Sequence, residues 1–444
     1  MRIVGGVRLV LGGVLLAGLC VSGAMAQGRV CVAREFGAKG DGIIKDTKAI
    51  QAAIDECAKF GAGITQAGFD FAKSSDSHAE PMPTVEISGG TFLSGPILLK
   101  RGVRLWIAKD AVLLASPDRA DYPMVTFAHN KTVQPFVSAV DTEYVAIEGD
   151  GTIDGNGKVW WDYVQGAKDG GVLGNDHPRP MGVVFDHTKH VRMEGVTVQN
   201  SGFWQIVPYY ADDVVFRNLR ILAPKSPNTD AIDPFSSSNI LIDHVYSSTG
   251  DDNIAIKSGP IDSPGPDDPS KNITITDCTF ENGHGLSIGS EIAGGVQNVH
   301  AERIHFKGTD QGIRIKSARD RGNDVSNISF KDITMDGVKT AVLITEYYPH
   351  AAPEGEVPAV PVGRLTPKFH GISMENVMAV NSGSAGYIVG LPESLAVVSM
   401  KDVHLAGKTG FSIAYAEVTM EDVSVTPEKG EAMKIAPTAK VMRK

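Results

Sequence analysis

Four short apolar runs, each entered through an asparagine, constrain this chain most: Asn239-Ile240, Asn272-Ile273, Asn298-Val299 and Asn327-Ile328. Their spacings of about 33, 26 and 29 residues match the irregular period, roughly 20 to 50 residues, of a solenoid. Short alternating runs recur around them, including Val191-Arg192-Met193, Val214-Val215-Phe216, Ile273-Thr274-Ile275 and Ile328-Ser329-Phe330, broken by Gly, Asn and Asp. Each repeat holds about two or three strands, too few to bury a core alone. Stacking the coils into a right-handed parallel β-helix would bury the inward Ile, Val and Phe continuously. A two-sheet sandwich is the alternative, but it needs mostly hairpins, and the long spacings fit it poorly. Near the start, Ala49, Ile50, Ala53, Ile54 and Cys57 recur at helical spacing behind Asp46-Thr47 as a cap. The expectation is an all-β, single-domain parallel β-helix over residues 27–444, its open end covered by that helix.

The charge narrows the partners. Lys plus Arg number 42 against 52 Asp plus Glu, a net of −10, which argues against nucleic acid. An anionic substrate would have to be met by a few local cations. The first 26 residues read as a secretory signal, with Arg2 and Arg8, an apolar run Leu9 to Leu19, and Ala24-Met25-Ala26 as cleavage site. An uncleaved anchor and a lipid anchor at Cys20 are the alternatives. The apolar run is short for a span of about 20 residues, and Leu19 is bulky beside a modified Cys. The expected product is secreted or periplasmic, off the membrane, and monomeric. Of the remaining cysteines, Cys31 and Cys57 flank the first helix and are the expected pair, while Cys278 reads as a buried core thiol. No CxxC or His/Cys cluster points to zinc. Three stretches read as loops over a functional face or as tolerated insertions: 166–180, 262–271 and 351–367.

The chemistry is concentrated between residues 228 and 348, in Asn228-Thr229-Asp230, Gly250-Asp251-Asp252, Gly283-His284-Gly285, Arg314-Ile315-Lys316 and Tyr347-Tyr348. The gaps, about 21, 33, 30 and 33 residues, are each near one coil. A β-helix would therefore set these groups on consecutive rungs about 4.8 Å apart. Paired carboxylates are what glycosidic cleavage needs, one protonated to help the leaving oxygen and one ionised to activate water. Arg314 and Lys316 are two residues apart, so on a strand they share a face, suited to an acidic sugar. Taken singly, each residue has an ordinary structural role. Turn residues have no reason to track the coil period together.

These motifs, in this order, resemble the four signature motifs of glycoside hydrolase family 28, the polygalacturonases. Phe36-Gly37-Ala38-Lys39-Gly40-Asp41-Gly42, Gly151-Thr152-Ile153-Asp154-Gly155-Asn156-Gly157 and Asp230-Ala231-Ile232-Asp233-Pro234 are similar to the family too. The resemblance implies hydrolysis of α-1,4 bonds of polygalacturonate in pectin with inversion, without metal or other cofactor. It implies Asp251 as general acid, Asp230 and Asp252 as activators of water, and His284 as support for the acid. Asn228 would join the substrate-binding residues, Arg314 and Lys316 would grip a galacturonate carboxylate, and Tyr347 would be their aromatic partner, with Tyr348 adjacent. One departure concerns a subsite: Val207-Pro208 stands where many relatives have His-Pro. The segment 61–84 is also longer than the short turn expected there. Substituted pectins such as rhamnogalacturonan or xylogalacturonan stay open as substrates. A pectate lyase using Ca²⁺ and an Arg base, or a non-catalytic carbohydrate-binding solenoid, fits the motifs less well.

Overall fold

The asparagines that open successive coils stack directly on one another. In this computed structural model, which describes residues 28–65, 82–127, 130–169, 177–224, 226–353 and 355–444, Asn239, Asn272, Asn298 and Asn327 all have φ between +55° and +57°. That left-handed corner tolerates Asn better than most residues. Each side-chain amide donates to its neighbour one coil back: Asn272 to Asn239 at 3.0 Å, Asn298 to Asn272 at 3.0 Å, and Asn327 to Asn298 at 2.7 Å. The same register position holds Asp213, His190 and Tyr144 in earlier coils, all at positive φ. His190 bonds Asp213 at 2.6 Å and stacks on Tyr144 with ring centres 4.6 Å apart.

From this corner a parallel ladder runs through Lys189–Glu194, Asp212–Arg217, Ser238–Asp243, Ser270–Thr276, Val296–Lys307, Asp324–Asp336 and Lys368–Val389. A second joins Thr197–Gln199, Arg220–Ala223, Tyr246–Thr249 and Thr279–Asn282. The third joins Ile254–Ile256, Leu286–Gly289, Gln311–Lys316 and Thr340–Thr345, and carries the chemistry. The result is the expected right-handed parallel β-helix. Inward positions form columns: Val214, Ile240, Ile273, Val299, Ile328 and Ile372 pair in register, each at most 2% exposed. Burial of such a side chain contributes about 1.5–3 kcal/mol.

The first helix, Thr47–Ala58, packs Ile50, Ala53, Ile54 and Cys57 onto the first coil. Asp46 stands at its N-cap position but makes no cap bond. Its carboxylate instead accepts from the backbone N–H of Lys39 at 2.6 Å and Gly40 at 2.9 Å, fixing the preceding turn. Cys31 and Cys57 form the disulfide, and Cys278 is a buried free thiol, both as the sequence indicates. A second helix, Lys158–Asp169, departs from the expectation of an all-β chain with one covering helix and takes up the start of the 166–180 loop. Its buried Trp160 packs edge-on to Tyr122, and Val164 one turn on is buried too. The neighbouring glycines hid that spacing.

The 351–367 segment crosses between distant coils. The Val357 amide donates to the Tyr415 hydroxyl at 2.7 Å, and Arg364 reaches Asp267 at 3.4 Å. Residues 1–26 and most of 61–84 lie outside the described residues. Among those described, no helix is long and apolar enough to cross a membrane.

Candidate active site

The Gly-His-Gly turn shows why glycine is needed on both sides of the imidazole. Gly283 and Gly285 have φ of +72° and +78°, and a Cβ on either would meet a backbone oxygen, of Asp251 at 2.4 Å or Gln311 at 2.1 Å. So fitted, the turn is stitched to the Asp-Asp turn one coil below. The His284 amide donates to the Asp251 carbonyl at 2.9 Å, and the Gly285 amide to Asn253 Oδ1 at 2.9 Å. His284 Nδ1 then lies 3.0 Å from Asp251 Oδ1. That bond, ahead of a partial burial that opposes it, raises the imidazole's pKa above its usual value. Asn228 donates to the other Asp251 oxygen at 3.3 Å and accepts from Arg179 at 2.9 Å.

Asp252 faces the opposite environment. Arg314 Nη1 donates to its Oδ1 and Lys316 Nζ to its Oδ2, both at 2.8 Å, and the Ser287 hydroxyl donates to Oδ1 at 2.7 Å. Burial would raise this carboxyl, but Lys316, Arg314 and Lys257 outweigh it and hold Asp252 well below the usual range. Parallel register explains the convergence: Ser287 pairs with Arg314 and Gly289 with Lys316, so the two cations rise beside small residues and reach one carboxylate. Asp230 is 3% exposed and linked to the same rung, since the Ala231 amide donates to the Asp252 carbonyl at 2.9 Å. Burial first, then Asp251 and Asp233, push its carboxyl well above the usual range.

The expected residues thus converge, apart from one tyrosine. Tyr348, not Tyr347, faces the cations, with Lys316 Nζ 5.1 Å and the Arg314 guanidinium 5.6 Å from its ring centre. Tyr347 packs on Arg319 at 5.6 Å. Strand alternation ends at Thr345, so sequence spacing alone does not separate the two. Val207 is fully buried in an apolar cluster with Phe127, Met181, Val184 and Phe235, and presents nothing to a ligand. Beside it opens a cavity of about 460 Å³ whose lining includes Arg179, Phe203, Trp204, Lys257 and Glu291.

Arg179, Lys257 and Glu291 belong to the site and were not singled out from sequence, and Asp233 was read there only within the family-like stretch Asp230-Ala231-Ile232-Asp233-Pro234, with no role of its own. Lys257 carried a signal: it follows Ile256, which pairs with Ile288, and the next residue, Gly289, pairs with Lys316. Ligand-type atoms of Asp251, Asp252 and His284 lie within 4.8 Å of one another. Both Asp252 oxygens are already engaged, so a dication there would have to displace Arg314 and Lys316.

A parallel β-helix that aligns differently partnered carboxylates with a cation pair on consecutive rungs is the architecture of a glycoside hydrolase. The model of glycosyl hydrolases family 28 matches residues 93–434, and the chain belongs to that family. A probable polygalacturonase of Vitis vinifera is 30% identical over 393 residues, covering 84% of this chain and 74% of that one. An endo-polygalacturonase of Pectobacterium carotovorum subsp. carotovorum is 34% identical over 282 residues, 60% of this chain and 68% of the other. The crystal structure of a hyperthermoactive exopolygalacturonase from Thermotoga maritima superposes with a TM-score of 0.74 at 26% identity, covering 91% of this chain and 93% of that one.

Proposed function

We propose that the protein is an inverting polygalacturonase that cuts α-1,4-galacturonosidic bonds of polygalacturonate, exported by loss of residues 1–26 and active as a monomer. The observation that carries this is the contrast between neighbouring carboxylates: Asp251 is bonded to His284 and Asn228, while Asp252 is held by Arg314 and Lys316. Asp251 donates its proton to the leaving oxygen as the C1–O bond breaks. Water, oriented by Asp252 and deprotonated by Asp230, adds to C1 from the opposite face. His284 orients Asp251 through its 3.0 Å contact with Oδ1. Arg314 and Lys316, with donors remaining beyond those spent on Asp252, grip the sugar carboxylate, and Tyr348 packs against them.

Attack from chain ends is the favoured mode. It is supported by the likeness to the Thermotoga exopolygalacturonase over nearly the full chain and by a cavity walled by Phe203 and Trp204 beside the carboxylates.

The test is incubation with demethylated polygalacturonate plus a chelator, following reducing ends, ultraviolet absorbance and product size. Reducing ends without absorbance, with galacturonate as the early product, are expected. Chelator-sensitive absorbance would mean a lyase, and mixed oligomers would mean internal attack. Silence on this polymer with turnover of a branched pectin would move the substrate to the substituted backbones.

A further inference from the structure

One buried carboxyl group at the site has no part in the reaction just described. Asp233 is 0% exposed, lies three residues after Asp230, and neither of its oxygens meets a donor in the static arrangement. A buried carboxylate without hydrogen bonds costs several kcal/mol, so something must compensate it. Two groups are placed to do so. Lys257 Nζ is 4.0 Å from Asp233 Oδ1, too far for a hydrogen bond but close enough to act as a counter-ion, and 3.5 Å from Glu291 Oε2. The other is the Asp230 carboxyl, within hydrogen-bonding reach once either acid carries a proton.

We infer that Asp233 and Asp230 share one proton, with Lys257 as counter-ion for the single remaining charge, which makes Asp233 a positioning residue for the base. This rests on the proposed hydrolytic role of Asp230. The physical argument is that two carboxyls enclosed together cannot both ionise, and two neutral acids would leave no base. Sharing one proton resolves both problems. With the proton on Asp233, its O–H donates to the Asp230 carboxylate, which keeps a lone pair for the attacking water. As water adds to C1 its proton passes to Asp230, and the pair becomes neutral. After product release, loss of that proton to solvent and uptake of one by Asp251 restore the resting state.

The surroundings agree in direction. Burial pushes both acids up; for Asp233 Lys257 and a hydrogen bond with Asp230 pull back while Asp252 and Asp251 push up, and for Asp230 the like charges Asp251, Asp233 and Asp252 add to the rise against Lys257. Lys257 itself is held charged: burial opposes its charge, but Glu291, Asp230, Asp233 and Asp252 prevail. Arg179 is the other cation acting on Asp230 and Asp251, pushed down to about 10 by burial. His284, Arg314 and Lys316 face Asp251 and Asp252 from the next coils. The nearest cation left to the Asp230–Asp233 pair is therefore Lys257, whose ammonium also lies 5.3 Å from the Trp204 ring centre in the cavity wall.

Four variants test this: Asp233→Leu, Asp233→Asn, Lys257→Met and Lys257→Arg. The acid limb of the kcat/KM profile on polygalacturonate should move up by about one pH unit or more in Asp233→Leu, which removes the donor, and in Lys257→Met, which removes the counter-ion. It should stay near the wild-type limb in Asp233→Asn and Lys257→Arg, which keep donor and charge. Infrared difference spectra give a readout that needs no turnover: wild type should hold one more neutral carboxyl at pH 7 than Asp233→Asn. Equal losses of rate in all four variants with an unmoved limb, or identical carboxyl bands in wild type and Asp233→Asn, would overturn the inference. If Asp233→Leu does not fold, the Lys257 variants still carry the profile. If wild type fails on every pectic substrate, the hydrolytic reading fails alone, because the infrared comparison still tests the shared proton.

Discussion

At the scale of single residues, adjacent side chains in this site do different work, and the difference can be measured. Tyr348 stacks on Arg314 and Lys316, while Tyr347 packs on Arg319. A cation–π contact contributes about 0.5–2 kcal/mol, so Tyr348→Ala should raise KM for oligogalacturonate roughly 2- to 30-fold, whereas Tyr347→Ala should lower the melting temperature and leave KM alone. The reverse result in steady-state kinetics would return the substrate contact to Tyr347. One residue earlier, Glu346 is 1% exposed, with Oε2 accepting from the Leu391 amide at 2.8 Å. Burial pushes its carboxyl up to about 9. An acid raised in the folded state keeps a proton that the unfolded chain has lost, so its contribution to stability is intact below about pH 4.5 and erodes as pH rises toward 9. Glu346→Gln, a neutral mimic, should therefore melt close to wild type at pH 5 and higher than wild type at pH 8. A gap that does not widen between those pH values in calorimetry would show that Glu346 is ionised in the fold.

The elements show why part of this was legible in the sequence and part was not. Arg314 and Lys316 could be read together because strand alternation is a local rule, and Asp251 and His284 because the coil period repeats. The parts played by Lys257 and Asp233 could not, although Lys257 falls one coil before Gly289 and Asp233 stands in the family-like stretch that begins at Asp230. Their roles depend on which rung lies beside which, and the loops between rungs differ in length. The second helix was missed because only Trp160 and Val164 mark its buried face before Gly166 interrupts the pattern. The asparagine column was legible as a spacing, and the structure supplies its cause. Asn272 sits in the left-handed region at φ +57°, donating to Asn239 and accepting from Asn298, both at 3.0 Å. Forcing another L-residue into that region costs about 1–2 kcal/mol, and each lost hydrogen bond about 0.5–1.5 kcal/mol. Asn272→Ala should thus destabilise by about 2–5 kcal/mol in denaturant unfolding. Asn272→Gly should recover the conformational part, since glycine occupies the matching corner at Gly371, φ +61°. Equal losses in the two variants would place the whole effect in the amide ladder.

For the whole molecule, the solenoid makes stability local, because the strands of each coil pair only with those of the coils beside it, the 351–367 crossing apart. The Cys31–Cys57 bridge closes a sequence separation of 26 residues and fastens the covering helix to the first strand. Constraining a loop of that length in the unfolded chain is worth about 3.5 kcal/mol. Reduction, or Cys31→Ser with Cys57→Ser, should therefore loosen the end of the molecule first. Hydrogen exchange should speed up in Thr47–Ala58 and in the strand Thr84–Ile87, which pairs with Val30–Val32. The carboxylates lie on coils that begin more than a hundred residues further along the chain, so turnover of polygalacturonate at moderate temperature should be retained. The alternative is that the coils unfold as one unit, because the inward columns of Ile, Val and Phe are continuous from end to end. Exchange and activity would then fail together at the same denaturant concentration. Following both along one denaturant series separates the cases, since a cap that frays ahead of the active site leaves a window in which residues 47–58 exchange freely while the enzyme still turns over.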